Sequence, residues 1–213
     1  MNKARAESFS DGVFAFAITL LVLGVQIPEL KTVSNEELRA DLIRAMPQLV
    51  PYVTSFATIG IIWLNHHAMF HGVERVEHTT LTLNLLLLLV VAFIPFPTAV
   101  LSRYGALPAS AFLYGAVLTL LGIAYSVLWL RIVRRDLISS VMDKADSHHK
   151  IWRNLTGPLT YFAATLMALR YPRVNVLIYF MLAAFYFVPT RHSPVPIVVK
   201  QIGASRSPLG SRR

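Results

Sequence analysis

Three groups of polar side chains stand where an otherwise apolar chain would carry none. They are Arg5, Ser10 and Asp11 near the start, Asn65, His66 and His67 within WLNHHAMFH (63–71), and Thr79, Thr80, Thr82 and Asn84 just beyond. A carboxylate near imidazoles and amides suits three chemistries: a proton relay, a metal site or a hydrogen-bonded clamp. A relay through Asp11 and one histidine is open, because an imidazole titrates near neutrality in water. A metal site is disfavoured, since adjacent residues on a helix point about 100° apart and His66 and His67 cannot readily share an ion. No cysteine is present, which removes thiolate ligands and a thiol nucleophile. Ser10, Asp11, His66 and His67 are the only residues an enzyme could use, and nothing resembles a nucleophile elbow or an open metal pair. No catalytic residue, metal or cofactor is therefore expected. A clamp needs least, because buried polar groups in a membrane must find partners where water is scarce.

The element that must position the first group runs from Arg5 to Ile27, RAESFSDGVFAFAITLLVLGVQI, and is charge-free from Gly12 to Pro28. A hydrocarbon core about 30 Å thick needs ~20 helical residues. The helix spans only by drawing its polar first turns into the bilayer edge. Asp11 there costs up to ~2.5–3.5 kcal/mol, less near the interface, so an intramembrane partner or role is expected for it.

The 213 residues are 55% hydrophobic and only 15% charged, with a mean hydropathy of +0.55. A soluble domain carries about a quarter charged residues, so this composition indicates an all-α integral membrane protein. The net charge of +9 sits between apolar blocks and not on one face, which argues for membrane topology and against nucleic acid. Six charge-free intervals, 12–28, 45–73, 78–102, 104–130, 154–169 and 174–190, predict six transmembrane helices within a domain of residues 1–190. Ser34 and Glu37 of SNEELRADLIRAM form a capping box for a short amphipathic helix between the first two spans. Pro95 and Pro97 should kink the third span, and RYPR (170–173) suits a tight hairpin between the last two. Residues 191–213 read as a basic, partly disordered cytoplasmic tail.

With the N-terminus inside, fourteen Lys and Arg fall on the cytoplasmic side and six outside, so both termini are expected in the cytoplasm. That topology brings Ser10 and Asp11, the end of the second span and Asn84 to one depth. A network of Arg5, Ser10, Asp11, Asn65, His66 and His67 should then pin the first three spans together.

Arg5, Phe9, Ser10 and Asp11 fit R-x-x-x-F-S-D at the head of the first helix, followed by GVFAFAITLLVL and later by WLNHHAMF. With the six-span layout, these residues resemble the transmembrane protein 175 family of potassium channels, most strongly over the first three spans. The resemblance implies a homotetramer in the plasma membrane whose central pore is lined by the first helix of each subunit. It implies an apolar constriction, in place of the absent T-V-G-Y-G filter, at Phe16, Leu20 and Leu23, with Ile27 extending the stripe. Phe16 departs from the Ile or Leu the family carries there. Thr19 matches a threonine beside the first ring and is the candidate for ion preference. The permeant would be K+, with other monovalent cations or H+ as further candidates, and the bilayer the other partner. Such rings stop ions by dewetting, and Gly12 and Gly24 bracket the stripe as points of adjustment or close contact. Periodicity alone does not favour a pore, because apolar helices usually pack against neighbours. Two rivals remain, a proton-coupled transporter and a non-conducting membrane subunit. A transporter usually shows internal repeats and discontinuous helices near the midplane, whereas these spans show no convincing repeat and lack midplane ionisable residues.

Overall fold

The computed structural model describes residues 3–26, 34–105, 107–135, 137 and 144–187, and every element among them is helical. Helix α1 spans Lys3–Leu20 and tightens into a 3-10 turn at Leu21–Gly24; α2 is Asn35–Ala45. Helices α3 (Leu49–His71), α4 (His78–Phe93) and α5 (Pro95–Tyr104) follow. Then come α6 (Pro108–Arg134), α7 (Lys144–Ala168) and α8 (Pro172–Phe187). Among the described residues, four stretches are long and apolar enough to cross a membrane: Lys3–Gly24, Asn35–His71, His78–Tyr104 and Pro108–Arg134. A shorter apolar segment, Val174–Phe185, lies in α8. The tail 191–213 and Ile27 lie outside the described residues.

Local signals act where physical chemistry puts them. The Ser34 hydroxyl accepts a hydrogen bond from the Glu37 amide at 3.2 Å and starts α2. The break between α4 and α5 falls at Ile94, ahead of Pro95, whose ring cannot donate into the preceding turn. Two helices outrun the charge-free intervals. Helix α6 continues to Arg134 because Arg131 finds Glu77 at 3.2 Å and Ile132 is buried. Helix α7 starts at Lys144, since charge ends an apolar run but does not end a helix.

Helix α1 packs against α3 and α4, α6 against α7 and α4, and α8 against α3 and α7. The core includes Phe14, Phe70, Leu87, Val91, Leu118 and Leu128. Lipid is as apolar as these side chains, so close packing and interhelical hydrogen bonds must supply the specificity. Small residues allow the closest approaches. A Cβ on Gly24 would stand 3.1 Å from Ala99 Cβ, and one on Gly122 would stand 3.1 Å from the Pro158 ring. Nothing comes within 4 Å of the corresponding point on Gly12, so only Gly24 is a close contact. The Gln48 side chain accepts from the Gln26 amide at 3.1 Å and its carbonyl from the Ser102 hydroxyl at 3.3 Å, tying the end of the first span to α3 and α5.

Candidate ion-conduction site

Two faces of α1 carry different chemistry. Ala6, Ser10, Phe14, Ala17 and Leu21 are buried, at helical spacings of four, four, three and four. Arg5, Phe9, Gly12, Phe16, Thr19 and Leu23 form the opposite line and are all exposed on the single chain. Phe16 is 65% and Leu23 68% accessible, and Leu20 is half-buried at the edge of the line. The R-x-x-x-F-S-D motif therefore divides: Arg5 and Phe9 face away from the subunit and Ser10 faces into it. Leu23 lies on the 3-10 turn, where residues three apart eclipse, so it stacks directly beyond Leu20.

The buried face is held by a one-way chain of hydrogen bonds. The Ser10 hydroxyl donates to the Ala6 carbonyl at 2.8 Å, so its oxygen accepts the Asn84 amide at 3.0 Å. The Asn84 amide oxygen then faces His66 Nε2 at 2.8 Å, which requires that nitrogen to carry a proton and donate. All three residues are buried. The His66 ring stacks on Phe70 with centroids 4.4 Å apart and tilts against Phe14 at 5.4 Å. Helices α1, α3 and α4 are thus pinned at one depth.

Not every expected member joins this chain. Asp11 is exposed and accepts from Trp63 Nε1 at 2.8 Å, a second tie between α1 and α3. His67 is exposed with its ring 6.0 Å from that of Trp63, so the two histidines diverge as adjacent helical residues must. Asn65 contributes its backbone carbonyl, which accepts from the Tyr125 hydroxyl at 3.3 Å. Arg5 is exposed, with no partner among the described residues. Two contributors were not in the expected network. Asn84 is its hub, although its depth alone had placed it in the layer. Trp63 was missed, and its only signal was an indole donor at the depth of an acceptor-only carboxylate.

A second polar cluster was not expected at all. The Ser55 hydroxyl lies 2.8 Å from that of Thr98 and 2.9 Å from that of Tyr114, joining α3, α5 and α6 in the core. Tyr179 donates to the Ala111 carbonyl at 3.1 Å and so adds α8. The two clusters stand toward opposite ends of α3. Together they make the bundle a fixed support behind α1, while the α1 line Phe9–Phe16–Leu23 stays largely exposed among the described residues.

The Thr19 hydroxyl donates to the Phe16 carbonyl at 2.8 Å. Its proton is therefore committed, and its exposed oxygen keeps the capacity to accept.

A family model described as endosomal/lysosomal potassium channel TMEM175 matches residues 5–95. A potassium channel from Chamaesiphon minutus is 36% identical over 190 residues, covering 85% of this chain and 92% of the relative. The mouse endosomal/lysosomal proton channel TMEM175 is 36% identical over 115 residues, which cover 51% of this chain but only 23% of that protein. Among solved structures, a lysosomal potassium-selective channel TMEM175 homolog from Chamaesiphon minutus superposes with a TM-score of 0.78 at 33% identity, covering 86% of this chain and 95% of that one. An R-x-x-x-F-S-D helix and a matching fold thus coincide with a relative aligned over nine-tenths of its length, and the chain belongs to the TMEM175 family of potassium channels, which are not enzymes.

Proposed function

We propose that four copies of this chain, each crossing the plasma membrane six times with both termini cytoplasmic, form a passive potassium channel whose pore is walled by α1. Residues 1–190 would be the channel domain. The observation that carries the reading is the exposed apolar line on α1, with Phe16 and Leu23 about two-thirds accessible on a helix whose opposite face is fully packed. Lipid or copies of itself around an axis could cover an apolar line that packs on none of the described residues, and the relationship to potassium channels favours the copies.

Phe16, Leu20 and Leu23 would then form stacked rings. A narrow apolar ring offers an ion nothing in exchange for its hydration shell, so the closed ring excludes water and ion together. Opening requires α1 to rotate or splay against its support. The Ser10–Asn84–His66 chain and the Asp11–Trp63 bond set the angle from which it moves. Helix α1 would offer the pore no ring of carbonyl oxygens, so preference for K+ over Na+ would be modest and would rest on the Thr19 oxygen.

A second reading, proton conduction, is favoured by one feature: Asp11 keeps an ionisable carboxylate on the accessible side of α1. A flux assay on purified protein in liposomes separates the readings. Passive K+ flux that needs no added ionophore supports the channel. Proton flux that persists without K+ supports the second reading, flux strictly coupled to a pH gradient indicates a transporter, and silence refutes conduction.

A further inference from the structure

An apolar groove of about 280 Å³ runs between α6 and α7. Its walls are Ile123, Val127 and Leu130 on α6 and Leu155, Leu159 and Phe162 on α7, with Pro158 against Gly122 as its floor. The two hydroxyls at its edge are already committed: Thr119 donates to the Gly115 carbonyl and Ser126 to the Gly122 carbonyl, each at 2.8 Å. The groove therefore offers a ligand dispersion contacts and no unmet polar group. From Thr119 to Leu130 it follows roughly 16 Å of helix at ~1.5 Å per residue. That is close to half of a ~30 Å hydrocarbon core, the depth of one leaflet.

The end of the groove is charged. Arg134 follows Leu130 by four residues and Val127 by seven, so it continues the same helical face one turn past the apolar walls. It is exposed, and among the described residues no carboxylate pairs with it. Arg131, on a neighbouring face, is already engaged with Glu77 at 3.2 Å. An apolar channel one leaflet deep that ends at a guanidinium with no carboxylate partner among the described residues matches an acyl chain carrying a phosphate, and basic pockets between membrane helices bind anionic headgroups.

We propose that the α6–α7 groove binds one anionic phospholipid per subunit, its acyl chain along Ile123–Leu130 and its phosphate on Arg134. A second copy of the chain fits less well, because it would have to cover Arg134 without any acid yet shown to meet it.

Native mass spectrometry of the purified protein, exchanged into detergent holding equal phosphatidylglycerol and phosphatidylcholine, tests this by counting lipid retained per subunit. The expected result is about a tenfold preference for phosphatidylglycerol, as one charge-assisted contact would give. Arg134→Ala should bring the two lipids to parity, while Arg135→Ala, off the groove face, should leave the preference intact. Leu159→Trp, at an exposed position, should fill the groove and lower retention of both lipids without changing the subunit count. Equal retention by the parent protein would overturn the proposal. So would an Arg135→Ala effect as large as that of Arg134→Ala, which would mean diffuse charge. A Leu159→Trp protein that loses subunits but keeps its lipid would assign the groove to a second copy. The readout is lipid mass, so it stands apart from whether the protein conducts.

Discussion

Replacing Asn84 by leucine removes both side-chain bonds through which α4 ties α1 to α3. The side chain makes two buried bonds, accepting from His66 Nε2 at 2.8 Å and donating to Ser10 Oγ at 3.0 Å. Ser10 keeps its bond to the Ala6 carbonyl, so on that side only a net hydrogen bond is lost, about 0.5–1.5 kcal/mol. His66 is left with a buried donor and no acceptor, at about 1–3 kcal/mol. Membrane hydrogen bonds fall toward the low end of such ranges, averaging ~0.6 kcal/mol in double-mutant cycles. A total near ~2 kcal/mol follows, which for a chain of this size lowers Tm by about 4–8 °C. Differential scanning fluorimetry in detergent reads the shift. Adding Ser10→Ala to Asn84→Leu should cost little more, since the bond is already gone, whereas adding His66→Phe should restore part of the loss by removing the stranded donor. An Asn84→Leu protein as stable as its parent, or a His66→Phe addition that only worsens it, would refute the one-way chain.

Asp11→Ala and Trp63→Phe remove the same bond, so their effects on the fraction of assembled protein in size-exclusion chromatography should be alike. The double variant should be hardly worse than either single one. A Cβ on Gly115 would collide with the Tyr179 hydroxyl and Thr165 Oγ1. Gly115→Ala should therefore displace Tyr179 from the Ala111 carbonyl and destabilise by about 1–3 kcal/mol, visible as a lower Tm. Thr19→Val keeps the shape and removes the only oxygen proposed to line the constriction. In liposomes it should bring K+ and Na+ permeability together while total flux persists, and a retained preference would clear Thr19 of that role.

Much of this arrangement was legible in the chain. Ser34 and Glu37 announced α2, Pro95 announced the α4–α5 break, and counting depth from the membrane edge put Ser10, His66 and Asn84 in one layer. Depth is set by sequence position, but helix rotation is not. Each residue turns the side chain by about 100°, so depth could not separate His66, which is buried in the network, from His67, which lies outside it. The same ambiguity put Arg5 in the network although it faces away. Helix α1 is apolar on nearly all sides, and no periodicity could tell its packed line of Phe14, Ala17 and Leu21 from its exposed line of Phe16 and Leu23. The 3-10 turn at Leu21–Gly24 was equally hidden, since it accompanies the approach of Gly24 to Ala99, a contact between residues far apart in the chain. Ser55, Thr98 and Tyr114 passed unnoticed because lone hydroxyls in apolar helices usually bond back to their own backbone.

The central claim is that α1 faces its own copies across a conducting axis. The natural absence of cysteine makes it directly testable with single cysteines at Phe16 and Leu23, set against controls at Phe14 and Ala17. The measurement is liposomal K+ flux before and after a charged methanethiosulfonate reagent. The account predicts block at positions 16 and 23 and none at 14 and 17. Unblocked flux through correctly assembled Phe16→Cys and Leu23→Cys proteins would contradict it.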